Sequence, residues 1–219
     1  MLKFPNGSVF GISTAVSAAI AASAVSNAAP AVATVATGSI AEDDVLIISS
    51  AWSLLRNTVA QAGTITVGAS DTVVLLGTDT TDTTLFKPSG GSVSLVKASD
   101  FVDFSQQGEP STSGGEQQFW QGVFLEDPTG QQISVPTTKN AKVLTLPLHY
   151  DASLPWYAAA KKVDVKKQPV VLRCALPDGD VLYRYGYLSF DADPSIAANN
   201  PMGNVATFTA LGASSLVEA

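Results

Sequence analysis

Three residues with catalytic types of side chain, His149, Asp151 and Ser153, lie within five positions of one another. A catalytic triad is defined by the spatial roles of its members, and side chains at alternate positions across a strand end rarely converge. No serine stands between glycines as in a nucleophile elbow. The spacing therefore predicts a turn between a strand and a helix, with Asp151 or Ser153 as the helix cap, and leaves a small hydrolase as the weakest functional alternative.

Other residues that could do chemistry lack partners. The acidic run Glu42–Asp44, and Asp79 with Asp82, do not have the spacing of a calcium loop or a pair of glycosidase carboxylates. Cys174, in the middle of an apolar run, is expected to be a buried small side chain. With one cysteine, one histidine and no phosphate loop or dinucleotide fingerprint, the sequence predicts no enzyme, no metal site and no cofactor.

Tyr183, Tyr185 and Tyr187 alternate along one apolar run and so share one face of a strand. Such a row can stack nucleic-acid bases. Packing against neighbouring strands or a protein interface is the commoner use of such a row.

The composition limits the class of protein. The 219 residues are 46% hydrophobic and only 14% charged, which excludes a disordered chain and indicates a surface partly covered by other copies. The net charge of −7 argues against a protein that grips duplex DNA through its phosphates. Lys161, Lys162, Lys166 and Lys167 form a local basic cluster, read either as a solvated face or as a docking site for an acidic surface of another copy.

No charged residue occurs between Phe4 and Ala41. The run Ile12–Val25 resembles the apolar region of a secretory signal with cleavage near Ala28. Its alanines and serines insert weakly into membranes, however, and the run is shorter than a membrane span. We predict neither a signal peptide nor a transmembrane helix.

The rest of the chain is typical of a β-protein. Short runs rich in Val, Ile and Thr are separated by turn residues. We predict about ten strands, at Ala31–Thr37, Asp44–Ser49, Thr64–Val67, Thr72–Leu76, Ser92–Lys97, Phe101–Phe104, Phe119–Leu125, Lys142–Leu148, Gln168–Leu176, Val181–Phe190 and Asn204–Leu211.

One helix is predicted at Leu154–Lys162, where Pro155 suits the first turn and the terminal lysines suit the helix dipole. Asp178-Gly179 predicts a hairpin between the two strands that flank it. The polar segment Ser105–Gln118 predicts a long loop that is mobile or binds a partner. Together these elements predict a β-sandwich or partial barrel with one flanking helix.

The chain resembles the tail tube proteins of long-tailed bacteriophages. The resemblance is densest from Ala141 to Gly212, in the ordered motifs KVLTLPL, DASLPWYAAAKK, LPDG, LYRYGYLSF and VATFTALG. Earlier motifs that fit are DDVLIISSAWSLL at 43–55, GTDTTD at 77–82 and EQQFWQGVFLED at 116–127. We divide the chain into an Ala/Ser-rich N-terminal arm, residues 1–29, and a tail-tube-like domain, residues 30–219.

The resemblance implies a virion protein, made in the bacterial cytoplasm, that forms stacked homohexameric rings. The inner strands of a ring would join into a continuous β-barrel, and the tube would conduct the genome during ejection without binding DNA tightly. The implied partners are other copies, the tape-measure protein and the terminator and tip proteins of the tail. The candidate assembly contacts are Gln106, Gln107, Glu109, Glu116, Gln117, Trp120, Lys161 and Lys162. The alternative function is a secreted adhesin or carbohydrate-binding domain.

Overall fold

The structure, a computed structural model, describes residues 5–88, 93–126 and 128–219. Residues 1–4 of the predicted arm, Ser92 at the start of a predicted strand and Asp127 in a family-like motif lie outside these residues. The described part contains fifteen strands and one helix. Their bounds are β1 Val9–Val16, β2 Ile20–Val25, β3 Ala31–Val35, β4 Val45–Ser50, β5 Thr58–Thr66, β6 Asp71–Leu76, β7 Val93–Asp103, β8 Ser111–Ser113, β9 Gln117–Gly122, β10 Ile133–Lys139, β11 Val143–His149, α1 Pro155–Lys166, β12 Val170–Ala175, β13 Val181–Ser195, β14 Gly203–Ala210 and β15 Ser215–Val217.

Six antiparallel strands close into a barrel in the order β2-β3-β6-β5-β4-β7, because β2 also pairs with β7. Alternate side chains of these strands point inward, and the interior is filled by small and aliphatic residues such as Ala33, Leu46, Ala60, Val73 and Leu95. A closed barrel leaves no strand edge unpaired. The predicted sandwich or partial barrel with a flanking helix is thereby confirmed, and the barrel is complete.

The remaining strands form a sheet in the order β1-β12-β13-β14-β11-β8, with β15 added beside β13. Strand β7 connects the two parts, since it pairs with β2 over its first residues and with β1 over its last. At the junction of β1 and β2, the Ser17 amide donates to the Lys97 carbonyl at 2.9 Å, and the Lys97 amide donates to the Ser17 hydroxyl at 3.0 Å. The barrel and the outer sheet are therefore one continuous hydrogen-bonded structure.

The outer sheet is covered on both faces. Ile47, Val59, Val171, Tyr183 and Val217 fill the layer between the sheet and the barrel. Helix α1 covers part of the opposite face through Trp156, Ala160 and Val163, against aromatic and aliphatic side chains that include Phe104, Phe190 and Phe208.

Helix α1 is longer than predicted and begins differently. Pro155 occupies the first turn as expected, but the N-cap residue is Leu154 and no side chain caps the helix. The prediction that Asp151 or Ser153 caps it is wrong. Asp151 instead accepts hydrogen bonds from the Ser153 amide, at 2.9 Å, and the Ser153 hydroxyl, at 2.6 Å, in the preceding turn.

The segment 1–29 supplies two strands. Ile12 in β1 is fully buried and Ala22 in β2 lies in the barrel interior. The apolar run that resembles a signal sequence therefore forms walls of both the outer sheet and the barrel. Cleavage near Ala28 would remove both strands.

The predicted hairpin around Asp178-Gly179 is present as β12 and β13. Gly179 has φ +96°, a conformation that favours glycine. Within the described residues, the two predicted strands Ser92–Lys97 and Phe101–Phe104 correspond to one strand, β7, and Trp52–Arg56 forms turns. The predicted loop Ser105–Gln118 contains β8 and the first residues of β9.

Candidate assembly surface

A two-stranded hairpin stands apart from the rest of the molecule. Strands β9 and β10 pair only with each other, in a sheet separate from the main one. From residue 116 to residue 142, every described residue is exposed except Gly122, which is half-buried. We call residues 116–142 the projecting hairpin.

The projecting hairpin continues the edge of the outer sheet. Ser113 of β8 pairs with Val143 of β11, and Gln117 pairs with Lys139 beyond a bend. The bend is made by Gly114 and Gly115, with φ values of +77° and +84°. A Cβ atom on Gly114 would overlap the Ala141 carbonyl. Glycine is therefore required where the hairpin leaves the body.

One face of the projecting hairpin is apolar. Directly opposed residues in a ladder share a face, and Trp120 opposes Val135 while Gly122 opposes Ile133. The other face carries Phe119, Pro136, Gln121 and Ser134. Trp120 is 51% exposed, and Leu125 near the tip is fully exposed. An exposed apolar face of this kind marks an interaction site.

Three of the predicted contact residues lie on this hairpin. Glu116 and Gln117 are at its base, where the Asn140 amide donates to the Glu116 carbonyl at 3.0 Å and the Gln117 side chain donates to the Thr138 carbonyl at 3.0 Å. Trp120 lies further out. Hydrogen bonds within the hairpin fix the main chain near Glu116 and Gln117. No other element among the described residues covers the Trp120 ring.

Gln106, Gln107 and Glu109 lie in the connection before β8. Gln107 is half-buried, accepts from the Phe10 amide at 3.3 Å and donates to the Phe104 carbonyl at 2.9 Å. Its side chain therefore has an internal structural role. Gln106 and Glu109 are exposed.

Lys161 and Lys162 lie on α1 and are exposed, as are Lys166 and Lys167 at its C-terminal end. Six of the eight predicted contacts therefore lie either in the connection before β8 or on the projecting hairpin. The two lysines lie on a different element.

The candidate catalytic residues lie at a strand end and in the turn that follows it. The Asp151 carboxylate accepts hydrogen bonds from the Ser153 hydroxyl and from the Ser153 amide. Both lower the pKa of Asp151, and the hydroxyl has the larger effect. The His149 amide donates to the Gln106 carbonyl in a strand-end contact. The arrangement is a polar turn that leads into α1.

The other polar candidates are structural. Asp44 pairs with Lys97 at 3.2 Å and accepts the Ala41 amide, so the acidic run stabilises the start of β4. Across the described ranges, no group of three His, Cys, Asp or Glu side chains is arranged to hold a metal ion. Cys174 is buried, and this desolvation raises the pKa of its thiol.

The tyrosine row faces inward. Tyr183 is buried and Tyr185 half-buried in the layer between sheet and barrel, and desolvation raises the pKa of both phenols. Only Tyr187 is exposed. Tyr183 and Tyr185 therefore serve packing.

The sequence reasoning missed half of the projecting hairpin. Strand β10 was not predicted because Pro136 interrupts its apolar alternation. The available signal was the alternation of Ile133 and Val135 after the turn residues Pro128, Thr129 and Gly130.

In the residues that the structure describes, no helix is long and apolar enough to cross a membrane. The fold defines a class: a closed β-barrel fused to a second sheet, with one helix on that sheet and an exposed hairpin that has an apolar face. The family model for the phage tail tube protein, TTP, matches residues 50–219. The chain belongs to this family, and its role is that of a structural component of the virion tail.

Two solved structures are similar in fold. One, described as the virion of a native gene transfer agent (GTA) particle, is 12% identical, with 53% of this chain and 88% of that chain covered at a TM-score of 0.40. The other, the tail of an empty GTA particle computed with helical refinement and C6 symmetry, is 13% identical, with 55% and 88% covered at a TM-score of 0.40. No curated protein matches the chain.

Proposed function

We propose that the chain polymerises as stacked homohexameric rings into the hollow tail tube that conducts the phage genome, and that it has no enzymatic role. The observation that carries the proposal is the projecting hairpin, which exposes Trp120, Ile133 and Val135 on one face. Membership of the tail tube family supports the choice of another copy of the chain as the partner for this face.

The physical argument concerns stability. A two-stranded hairpin without a packed face is at best marginally stable in water. Burial of Trp120 and its neighbours against a second copy removes apolar area from water, at about 25 cal/mol per Å². Each ring would carry the same hairpin once per subunit around its rim. The hairpins would therefore form the contacts between adjacent rings.

The edges of the sheets suggest how subunits join sideways. Strands β12 and β13 are already paired along both edges, so the hairpin Val170–Phe190 is proposed to lie behind the inner wall and not to join it to the next subunit. Strand β8 is the open end of the outer sheet. We assign the joining of sheets between subunits to the β8 edge, which supports a ring-wide β-barrel.

Charge fits the proposed conduit. The chain carries 19 acidic and 12 basic residues, so the tube has a net negative charge and repels DNA phosphates. We propose that Lys161, Lys162, Lys166 and Lys167 lie outside the channel or at subunit contacts. The tape-measure, terminator and tip proteins are proposed as further partners on the basis of family membership.

Removal of the projecting hairpin tests the proposal. Residues 117–139 are replaced by Asn-Gly, which can close the chain because the Glu116 carbonyl already accepts the Asn140 amide at 3.0 Å. We expect the circular dichroism spectrum to remain that of an intact β-protein. We also expect tubes to disappear from negative-stain micrographs and the fast-sedimenting material to be lost.

A point variant gives the matched comparison. Trp120→Ala removes the largest side chain of the apolar face, and Gln121→Ala alters the neighbouring residue on the other face. We expect only Trp120→Ala to reduce assembly. Tubes of normal length from the hairpin deletion would contradict the role of the hairpin.

A further inference from the structure

Arg184 occupies an unusual place in the outer sheet. It lies in β13 directly opposite Leu172 of β12, on the face that α1 covers further along the sheet. On the other side of β13, β14 ends its pairing at Gly186 and β15 begins its pairing at Tyr183. Arg184 therefore lies between the ends of the two strands that pair with this edge of β13.

Its surroundings are apolar. One row of directly opposed residues crosses four strands on the same face as Arg184. Its members are Leu216 in β15, Leu182 in β13, Cys174 in β12 and Phe10 in β1. Leu216 is 43% exposed, while Leu182 and Phe10 are half-buried. We call Phe10, Cys174, Leu182, Arg184 and Leu216 the Arg184 patch.

The guanidinium of Arg184 has no compensating charge. Its Nε atom is buried without a hydrogen-bond partner, and no described residue forms an ion pair with it. Desolvation by the neighbouring side chains lowers the pKa of Arg184. Partly buried charges are normally paired, because removing them from water is costly.

Arg173, one strand away, shows the usual solution. Its Nη2 atom donates to the Asp103 carboxylate at 2.7 Å, and its guanidinium lies 4.9 Å from the centre of the Phe101 ring. It opposes Tyr183, on the other face of the sheet. The Nε atoms of both arginines are buried without a hydrogen-bond partner. Among the described residues, however, only Arg173 of the two has a carboxylate partner.

We propose that Arg184 binds a carboxylate of a second copy of this chain, and that the Arg184 patch is a contact between subunits. The inference rests on the proposed self-assembly and names a surface of it apart from the projecting hairpin. Charge complementarity supports the choice of partner, since each copy carries an excess of seven acidic residues.

The form of the patch fits a protein partner. Arginines set in an apolar surround are frequent hot spots of protein interfaces, because the surround excludes water from the ion pair. A nucleic acid is a poorer fit, since a single cation on an acidic chain neutralises few phosphates.

The test separates assembly from folding. Arg184→Met keeps the length and apolar contacts of the stem and removes the charge, Arg184→Lys keeps a charge without the forked donors, and Arg173→Met is the control. Wild-type protein is measured first, so that a failure to assemble counts against the proposed function alone. The concentration at which tubes appear is measured by sedimentation, and the thermal midpoint on dilute, unassembled protein.

For Arg184→Met we expect a thermal midpoint equal to or above that of the wild type, and an assembly concentration raised about tenfold or more. The assembly concentration of Arg184→Lys should lie between those of the wild type and Arg184→Met. Arg173→Met should lower the midpoint without a comparable effect on assembly. Assembly of both Arg184 variants at the wild-type concentration would overturn the proposal, as would a loss of monomer stability in Arg184→Met larger than that in Arg173→Met.

Discussion

The indole ring of Trp120 lies over Gly122, two positions further along β9, where a Cβ atom on Gly122 would overlap the ring. Both residues are on the apolar face of the projecting hairpin. The absence of a side chain at Gly122 thus allows the ring to lie along the strand. The ring remains about half exposed, at 51%.

The first prediction follows from this contact. Gly122→Ala displaces the Trp120 ring, and we expect fewer or shorter tubes with a change in body stability of about 0.5 kcal/mol or less, because the hairpin lies outside both cores. Trp52 and Trp156 are buried, so acrylamide quenching of tryptophan fluorescence reports mainly on Trp120. Quenching and assembly identical to those of the wild type would contradict the role of the contact.

The second prediction concerns the centre of the outer sheet. Leu182→Pro removes a main-chain donor from β13, which is paired on both sides at this point, with Cys174 and with Leu216. We expect loss of the folded state, seen as the absence of a cooperative thermal transition. Leu125→Pro, at a fully exposed position outside the strands, is the control and should melt normally. A cooperative transition at the wild-type temperature in Leu182→Pro would refute the strand pairing.

Much of this fold was predictable because many strands carry local signals. The run of valine, threonine and leucine at Thr72–Leu76 identified β6, and the turn at Asp178-Gly179 identified the hairpin β12–β13. Strand β2 was missed because its alanines and serines have little β-propensity, and its pairing with β7 closes the barrel across a long stretch of sequence. Such pairing is decided by tertiary packing and leaves no local pattern.

The same limit applies to the assembly surface. Trp120 was predicted as a candidate contact, and it lies in the family-like motif EQQFWQGVFLED. Ile133 and Val135 were missed because Pro136 obscured their strand. Arg184 could not be singled out, since its lack of a carboxylate partner depends on the register of four strands.

The third prediction concerns acid stability. The Ser153 hydroxyl and amide lower the pKa of Asp151 below its ordinary value of 3.8, so the folded state favours the ionised carboxylate. This contribution to stability is present above that value and is lost as the pH falls through the lowered pKa. Asp151→Asn should therefore lower the urea midpoint near neutral pH, with a deficit that narrows in acid. A deficit that stays constant down to low pH would contradict the linkage.

The fourth prediction concerns DNA. An acidic tube subunit releases few counterions from duplex DNA, so we expect no gel shift at physiological salt. The opposite hypothesis is that Lys161 and Lys162, both exposed on α1, grip the genome. Micromolar, salt-sensitive binding that is lost in Lys161→Glu/Lys162→Glu would support that hypothesis and overturn the conduit.

The most direct test of the central claim is electron cryo-microscopy of the concentrated wild-type protein. The account predicts hollow tubes of stacked six-fold rings, with the projecting hairpin of each subunit, and Trp120 in particular, buried against a neighbouring copy. Dispersed monomers at high concentration, or tubes in which residues 116–142 contact no other subunit, would contradict it.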